Sequence, residues 1–254
     1  MITTPKKLLS IGSDAKTVKG QKYNYSTAIL YLASAKQSGF NVCPSASPQC
    51  KKDCLFWSGR GKFKTTQKAR INKTQHYFLN RHFFMNQLEH EIDLFLKRSK
   101  KNNVIPCVRL NGTSDISWEV YKYKNGLNIF EKFPDLQFYD YTVIYKRMQK
   151  FIDNKLPKNY HLTFSRKEDN QEQVMNVLES GFNASVVFEK NLPNYYKHFK
   201  VLDGDDSDLR FLDTKNFYKN LRYKECYSGG LVIGLKYKKS QGQTIDKNSF
   251  VIKQ

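Results

Sequence analysis

No run of eighteen apolar residues occurs in this 254-residue chain, so no membrane-spanning helix is expected. The opening residues, MITTPKKLLSIGSDAK, lack the long apolar core of a secretory leader, which points to a cytoplasmic protein. Cysteine is scarce, at five residues. In a reducing compartment these thiols read as core residues, metal ligands or catalytic groups rather than as disulfides. Internal repeats, long linkers and low-complexity tracts are absent. The glycine-rich stretch GRGKF lacks the Lys-Ser or Lys-Thr ending of a P-loop, so nucleotide hydrolysis is not implied. The five histidines show no metal-ligand spacing, and His161, inside a strand-like run, reads as structural. The acidic stretch DGDDSDLRFLD, residues 203–213, does not fit a calcium loop and reads as a solvated turn with an Asp208–Arg210 interaction.

Acidic residues are also few. Asp and Glu number 23 against 43 Lys and Arg, a net charge of +20. The excess is uneven: residues 1–101 hold nineteen basic and five acidic residues, or +14. Residues 51–81 hold nine basic residues and one acid, Asp53. Such a field attracts polyanions. Arg60, Lys62, Lys64, Lys68, Arg70 and Lys73 run into a helix start and form a candidate nucleic-acid-binding row, with Gly59 and Gly61 allowing close backbone approach. The plain alternative is a well-solvated basic surface.

With 39% hydrophobic residues, the chain can fill a core. STAILYLAS (26–34), VIPCVRL (104–110), LQFYDYT (136–142), YHLTFS (160–165), ASVVFE (184–189), LRFLD (209–213) and GGLVIGLKYK (229–238) read as strands. Residues 65–100 read as a long helical region broken near Asn80, and 169–180 as a helix ended by Gly181. Alternation of short apolar strands with helices indicates one α/β domain over 1–254. Its expected architecture is a TIM-like or partial (β/α) barrel of parallel strands. Sites in such folds gather at the C-terminal ends of strands. The cysteine loop follows the first of these strands and the turn NGTSD follows the second, so both should share one rim.

That loop, NVCPSASPQCKKDC, places Cys43, Cys50 and Cys54 in a C-x6-C-x3-C array. Three thiolates do not complete a tetrahedral zinc site, although Cys107, Cys226 or a histidine could supply a fourth ligand. An iron–sulfur cubane held by three cysteines keeps one iron open for a ligand. The alternative is three unrelated, partly buried thiols. In the turn, Asn111, Gly112, Thr113, Ser114 and Asp115 are candidate cofactor- or substrate-binding residues. The competing reading is a capped turn over Trp118.

The cysteine loop together with GRGKF, ARINKT, VRLNGTSDISWE, FPDLQFYDYT, LPKNYHLTFS and GDDSDLRFLD resembles a bacteriophage family known as gene product 88, over nearly the whole chain. More distantly, the layout resembles radical S-adenosylmethionine enzymes. These have a three-cysteine loop after the first strand and a cofactor-binding turn after the second. The resemblance implies a 4Fe–4S cluster on Cys43, Cys50 and Cys54, S-adenosylmethionine at residues 111–115, and a radical reaction in the cytoplasm of an infected cell; the basic region 51–81 makes a nucleic acid or nucleotide the expected substrate. The sequence departs from that pattern in three ways. The common spacing is C-x3-C-x2-C, Asp53 stands where an aromatic residue usually precedes the last cysteine, and the turn lacks Gly-Gly-Glu. The rival expectation is a non-enzymatic phage protein, braced by zinc or a cluster, that binds nucleic acid or a host protein. No residue is assigned a catalytic step.

Overall fold

Runs rich in β-branched and aromatic residues become strands here, and the longer amphipathic runs between them become helices. The computed structural model describes residues 4–12, 15–220, 227–238, 245 and 249–253. In chain order it contains β1 (Leu9–Ile11), α1 (Ala15–Lys19), β2 (Tyr25–Leu30), α2 (Pro48–Lys52), α3 (Lys64–Leu79), α4 (Arg81–Lys101) and β3 (Ile105–Arg109). There follow α5 (Ile129–Lys132), β4 (Gln137–Thr142), α6 (Tyr145–Ile152), β5 (Tyr160–Ser165), α7 (Gln171–Glu179) and β6 (Ala184–Phe188). The series ends with β7 (Tyr195–Tyr196), β8 (Phe199–Asp203), α8 (Asp213–Asn220) and β9 (Val232–Lys236).

The nine strands form one sheet in the order β1-β2-β3-β4-β5-β6-β9-β8-β7. All neighbours from β2 to β8 pair in parallel, and only the two edge pairs, β1–β2 and β7–β8, are antiparallel. The expected parallel α/β organisation is therefore present. Among the described residues β1 and β7 do not pair with each other, so the sheet is open rather than a closed ring. It is nevertheless curled. A flat sheet would set β3 and β8 about 24 Å apart, at about 4.8 Å per strand. Yet Arg109 of β3 meets Asp208, five residues beyond the end of β8, at 3.0 Å.

Side-chain alternation divides the buried residues between two faces. One face carries Ala28, Leu30, Val108, Phe138, Leu162, Phe164, Val186 and Val232, packed on Phe84, Leu88 and Ile92 of α4 and on Val174 and Val177 of α7. The other face carries Cys107 and Tyr139, which pack with Leu209 and, at the margin, Tyr25 and Phe211. The segment after β8 thus covers the concave side. Two helix ends show why the elements stop where they do. Asn80 has φ −133° and ψ 47°, which separates α3 from α4. Gly181, at φ +83°, closes α7: its N–H donates to the Leu178 carbonyl and Phe182 N–H donates to Val177, the pairing of a Schellman cap.

Four strand assignments differ from the sequence reading. LRFLD is not a strand: Arg210–Leu212 make a single 3-10 turn that runs into α8. Leu209 and Arg210 are buried against the concave face with no strand partner. β7 and β8, in a Lys- and Tyr-rich stretch, and the three-residue β1 are additional. Edge strands of this kind are short and charged, which hides their alternation. Among the described residues no helix is long and apolar enough to cross a membrane.

Candidate functional site

The C-terminal ends of β3, β4, β5, β6 and β9 and the segment after β8 open onto one pocket of about 280 Å3. Cys43, Cys50 and Cys54 line it, as do all five residues of the turn 111–115. The shared rim expected from the sequence is thus a shared cavity.

Local chemistry shapes the cysteine loop. Asn41 Oδ1 accepts from Cys43 N–H at 3.0 Å. Ser47 caps α2, its hydroxyl oxygen accepting from Cys50 N–H at 3.2 Å, with Pro48 at the first helical position. Glu168, from the loop after β5, clamps this cap: one carboxylate oxygen accepts from Ser47 Oγ at 2.7 Å, the other from Gln49 N–H at 3.1 Å. Cys54 Sγ accepts from Phe56 N–H and starts a 3-10 turn. Beyond it, a Cβ on Gly61 would stand 2.0 Å from the Phe56 carbonyl oxygen. That glycine serves backbone packing against the cysteine loop.

The three thiols are half-buried, with none in a disulfide. Burial, and next the neighbouring thiols, push Cys43 and Cys50 up to about 12. Reactive cysteines are made in the opposite way, by cations or helix N-termini that lower the thiol. Among the described residues no group of three or more His, Cys, Asp or Glu stands close enough to hold one metal ion as it is. Cys107 is apart from the three thiols, on the concave floor, bonded to Thr27 Oγ1 at 3.3 Å. Cys226 lies outside the described residues.

The turn 111–115 is stitched into the protein. Gly112 N–H donates to the Leu30 carbonyl, Thr113 Oγ1 to that of Leu32, and Asp115 N–H to that of Val42. A Cβ on Gly112 would meet Tyr31, Ile29 and the Leu30 carbonyl within 2.8 Å. Asn111 Oδ1 accepts from Ser114 Oγ, Ile116 N–H and Trp118 Nε1, so the capped turn over Trp118 is present. Asn111 Nδ2 donates to the Ile116 carbonyl and Asp140. Asp115 accepts from Arg147 Nη1 at 3.0 Å, Val143 N–H at 2.9 Å and Thr142 Oγ1 at 3.1 Å. Burial pushes the Asp115 carboxyl above its ordinary range, while Arg147, Val143 and Thr142 act against that. Arg147 also forks onto Glu119, with both bonds at 2.9 Å. The backbone of the turn faces the cysteines: Cys43 Sγ lies 4.0 Å from the Thr113 carbonyl oxygen.

The candidate basic row divides. Arg60, Lys62, Lys64 and Lys68 are exposed. Arg70 is buried and lies over the rings of Tyr31 and Phe56, at 4.9 and 5.6 Å. Lys73 is half-buried and donates to the Leu8 carbonyl at 2.7 Å. Burial holds its amine down at about 8. The last two brace the cysteine loop and β1.

Arg109 and Tyr141, which the sequence offered as a rim residue and a possible stacking ring, line the pocket, and so do residues it did not single out: Lys19, Arg166, Lys236 and Tyr237. Arg166, Lys236 and Tyr237 sit at or just past the C-terminal ends of β5 and β9, so the strand-end rule, applied to every strand, would have found them. Asp208 pairs with Arg109, which also lies 4.7 Å over the Tyr141 ring, and accepts from Tyr139 O–H at 3.2 Å. Arg210 pairs with Asp213 at 3.3 Å, and the expected Asp208–Arg210 interaction is present as a backbone bond, Arg210 N–H donating to the Asp208 carbonyl at 3.0 Å.

Compared with known proteins, residues 7–247 match the profile of the family described as gene product 88. No curated protein and no solved structure matches the chain. The match spans nearly the whole sequence, and the chain belongs to this phage protein family.

Proposed function

We propose that this gene product 88 family member is an iron–sulfur protein of the infected host's cytoplasm. Its fold is read as a partial barrel like that of radical S-adenosylmethionine enzymes, and its action as modification of a nucleic acid or nucleotide. One observation carries the reading: three clustered cysteines and the turn after the next strand line a single pocket at the C-terminal ends of parallel strands. Cys43, Cys50 and Cys54 would hold the cluster. A cluster with an iron left open would supply one-electron chemistry to a bound cofactor such as S-adenosylmethionine. The part of residues 111–115 would be played by their backbone, because the side chains of Asn111 and Asp115 are occupied inside the protein. Arg60, Lys62, Lys64 and Lys68, exposed beside the cysteine loop, would attract a polyanion.

That internal use of Asn111 and Asp115 also favours a second reading. In it the metal only braces the loop, and the basic face binds nucleic acid or a host protein without chemistry.

Anaerobic purification with iron and sulfide analysis tests the leading proposal. The protein should be brown and carry iron and acid-labile sulfide. Cys43→Ala, Cys50→Ala and Cys54→Ala should each remove the colour, whereas Cys226→Ala should keep it. Colourless protein with stoichiometric zinc would promote the bracing reading.

A further inference from the structure

We propose that Lys19, Arg166 and Lys236 form a phosphate-binding wall in the cysteine-lined pocket, and that the pocket takes a substrate carrying a terminal phosphate ester, as a nucleotide does. The proposal names the substrate class of the pocket described above and rests on that reading for any chemistry, but not for binding.

Charge accounting within the pocket leads to it. Six cations line the cavity: Lys19, Arg109, Arg166, Lys167, Lys236 and Lys238. Four carboxylates do so as well, Asp53, Asp115, Asp205 and Asp208, and three of them are paired with cations. Asp115 is held by Arg147, which is not a lining residue, Asp208 by Arg109, and Asp205 by Lys238. Asp53 accepts from Tyr237 O–H at 3.1 Å. Lys167 is paired with Asp169 outside the cavity.

Three cations make no ion pair among the described residues, although Lys19 lies near the Asp205 and Asp206 carboxylates. Lys19 donates to the backbone carbonyl of Asp205. Arg166 donates through Nε to Gln171 Oε1 at 2.8 Å and through Nη1 to the Phe250 carbonyl at 2.6 Å. The Lys236 ammonium has no partner among the described residues, and only its backbone N–H is used, to Asp205. A half-buried guanidinium met only by carbonyls is poorly compensated, and an anion in the pocket would repair that.

These three cations reach one cavity from the end of α1, the loop after β5 and the end of β9. Three cationic groups from separate elements match the terminal oxygens of a phosphate better than a single carboxylate. Tyr141 lines the same cavity beside them. At about 280 Å3 the cavity is at the small end of ligand pockets, roughly 300–1,000 Å3, which suits a mononucleotide or one strand end.

The test is calorimetry on metal-free protein with the four ribonucleoside 5′-monophosphates and, separately, the matching nucleosides. At least one monophosphate should bind tenfold or more tightly than its nucleoside. Lys236 is exposed, so Lys236→Glu should fold like the parent by circular dichroism, and it should weaken monophosphate binding at least tenfold. A short oligonucleotide with and without a 5′-phosphate separates sources. If only the phosphorylated strand binds, and does so through Lys236, the ligand is a strand end. The proposal is overturned if phosphorylated and unphosphorylated probes bind alike, if nothing binds, or if Lys236→Glu has no effect. Iron and sulfide content of Lys236→Glu, loaded in parallel, reports on the cluster reading independently of each of these results.

Discussion

Asp115→Asn separates the two roles open to the acid of the rim turn. In one, its carboxylate faces the pocket and binds a ligand's positive charge. In the other, which the hydrogen bonds favour, it anchors the turn to Arg147. One carboxylate oxygen accepts from Arg147 Nη1, and the other from Val143 N–H and Thr142 Oγ1. Asparagine has the same shape but only one acceptor oxygen. If that oxygen faces Val143, the amide NH2 abuts the guanidinium. If it faces Arg147, the NH2 abuts the Val143 N–H. Either orientation loses a charged hydrogen bond, about 1.5–3 kcal/mol, and leaves a buried donor unsatisfied, about 1–3 kcal/mol. Arg147 keeps its fork on Glu119, so the charge is not stranded and the total should lie near the middle, about 3–4 kcal/mol.

A chain of this size loses roughly 2–4 °C of melting temperature per kcal/mol, so the variant should melt roughly 6–16 °C below the parent. Thermal circular dichroism at neutral pH measures this directly. A melting temperature within about 2 °C of the parent would refute the reasoning. If that variant also bound S-adenosylmethionine more weakly, the carboxylate would belong to the ligand after all.

Two further outcomes follow from other parts of the molecule. Burial and Arg210 hold the His161 imidazole at about 4, against its ordinary 6.5. The folded state thus binds fewer protons than the unfolded chain between those values, so its stability falls as pH drops from 6.5 to 4, by up to about 3 kcal/mol. His161→Gln should flatten the dependence of melting temperature on pH over that window, and an unchanged slope would show that His161 is not its source. Separately, reversing the exposed Lys62, Lys64 and Lys68 to Glu should lower nucleic-acid affinity and the steepness of its salt dependence, read by fluorescence anisotropy at several salt concentrations. Equal affinity and slope in parent and triple variant would make the basic face a solubility feature.

The strands that were legible in the sequence are those whose two faces are both covered. β2, β3, β4, β5, β6 and β9 are interior, and their continuous apolar runs announce them. The α3–α4 break at Asn80 and the glycine after α7 were legible for local reasons, a weak helix former and a left-handed residue. LRFLD was not, because a five-residue apolar run has no period long enough to distinguish a strand from a turn of helix. At the site, the grouping of the cysteines and the turn was legible from topology alone. The fate of Arg70 was partly legible. Arg70, Thr74 and Tyr77 follow each other at spacings of four and three, the buried stripe of α3, and Arg can bury its stem while its head lies on aromatic rings. The pairs Arg109–Asp208 and Arg147–Asp115 were not legible, since partners 99 and 32 residues apart leave no periodic trace.

The polar residues that sequence reading spread over several motifs gain a common cause in the curled sheet. Its helix-covered face is closed by large apolar side chains. The concave face of β3, β4 and β5 instead alternates Cys107, Arg109, Tyr139, Tyr141, His161, Thr163 and Ser165. A sheet this curled leaves too little room for a second helical layer there. The segment after β8 fills the floor with Leu209 and Arg210, and the pocket occupies the rim. A charged side chain on such a face must find a partner or line the opening. Arg109 does both, pairing with Asp208 while bordering the cavity. The same geometry that brings three cysteines to the mouth therefore concentrates cations beneath them. A protein of net charge +20 thus carries part of its excess inward, to a place where one small anion would meet it.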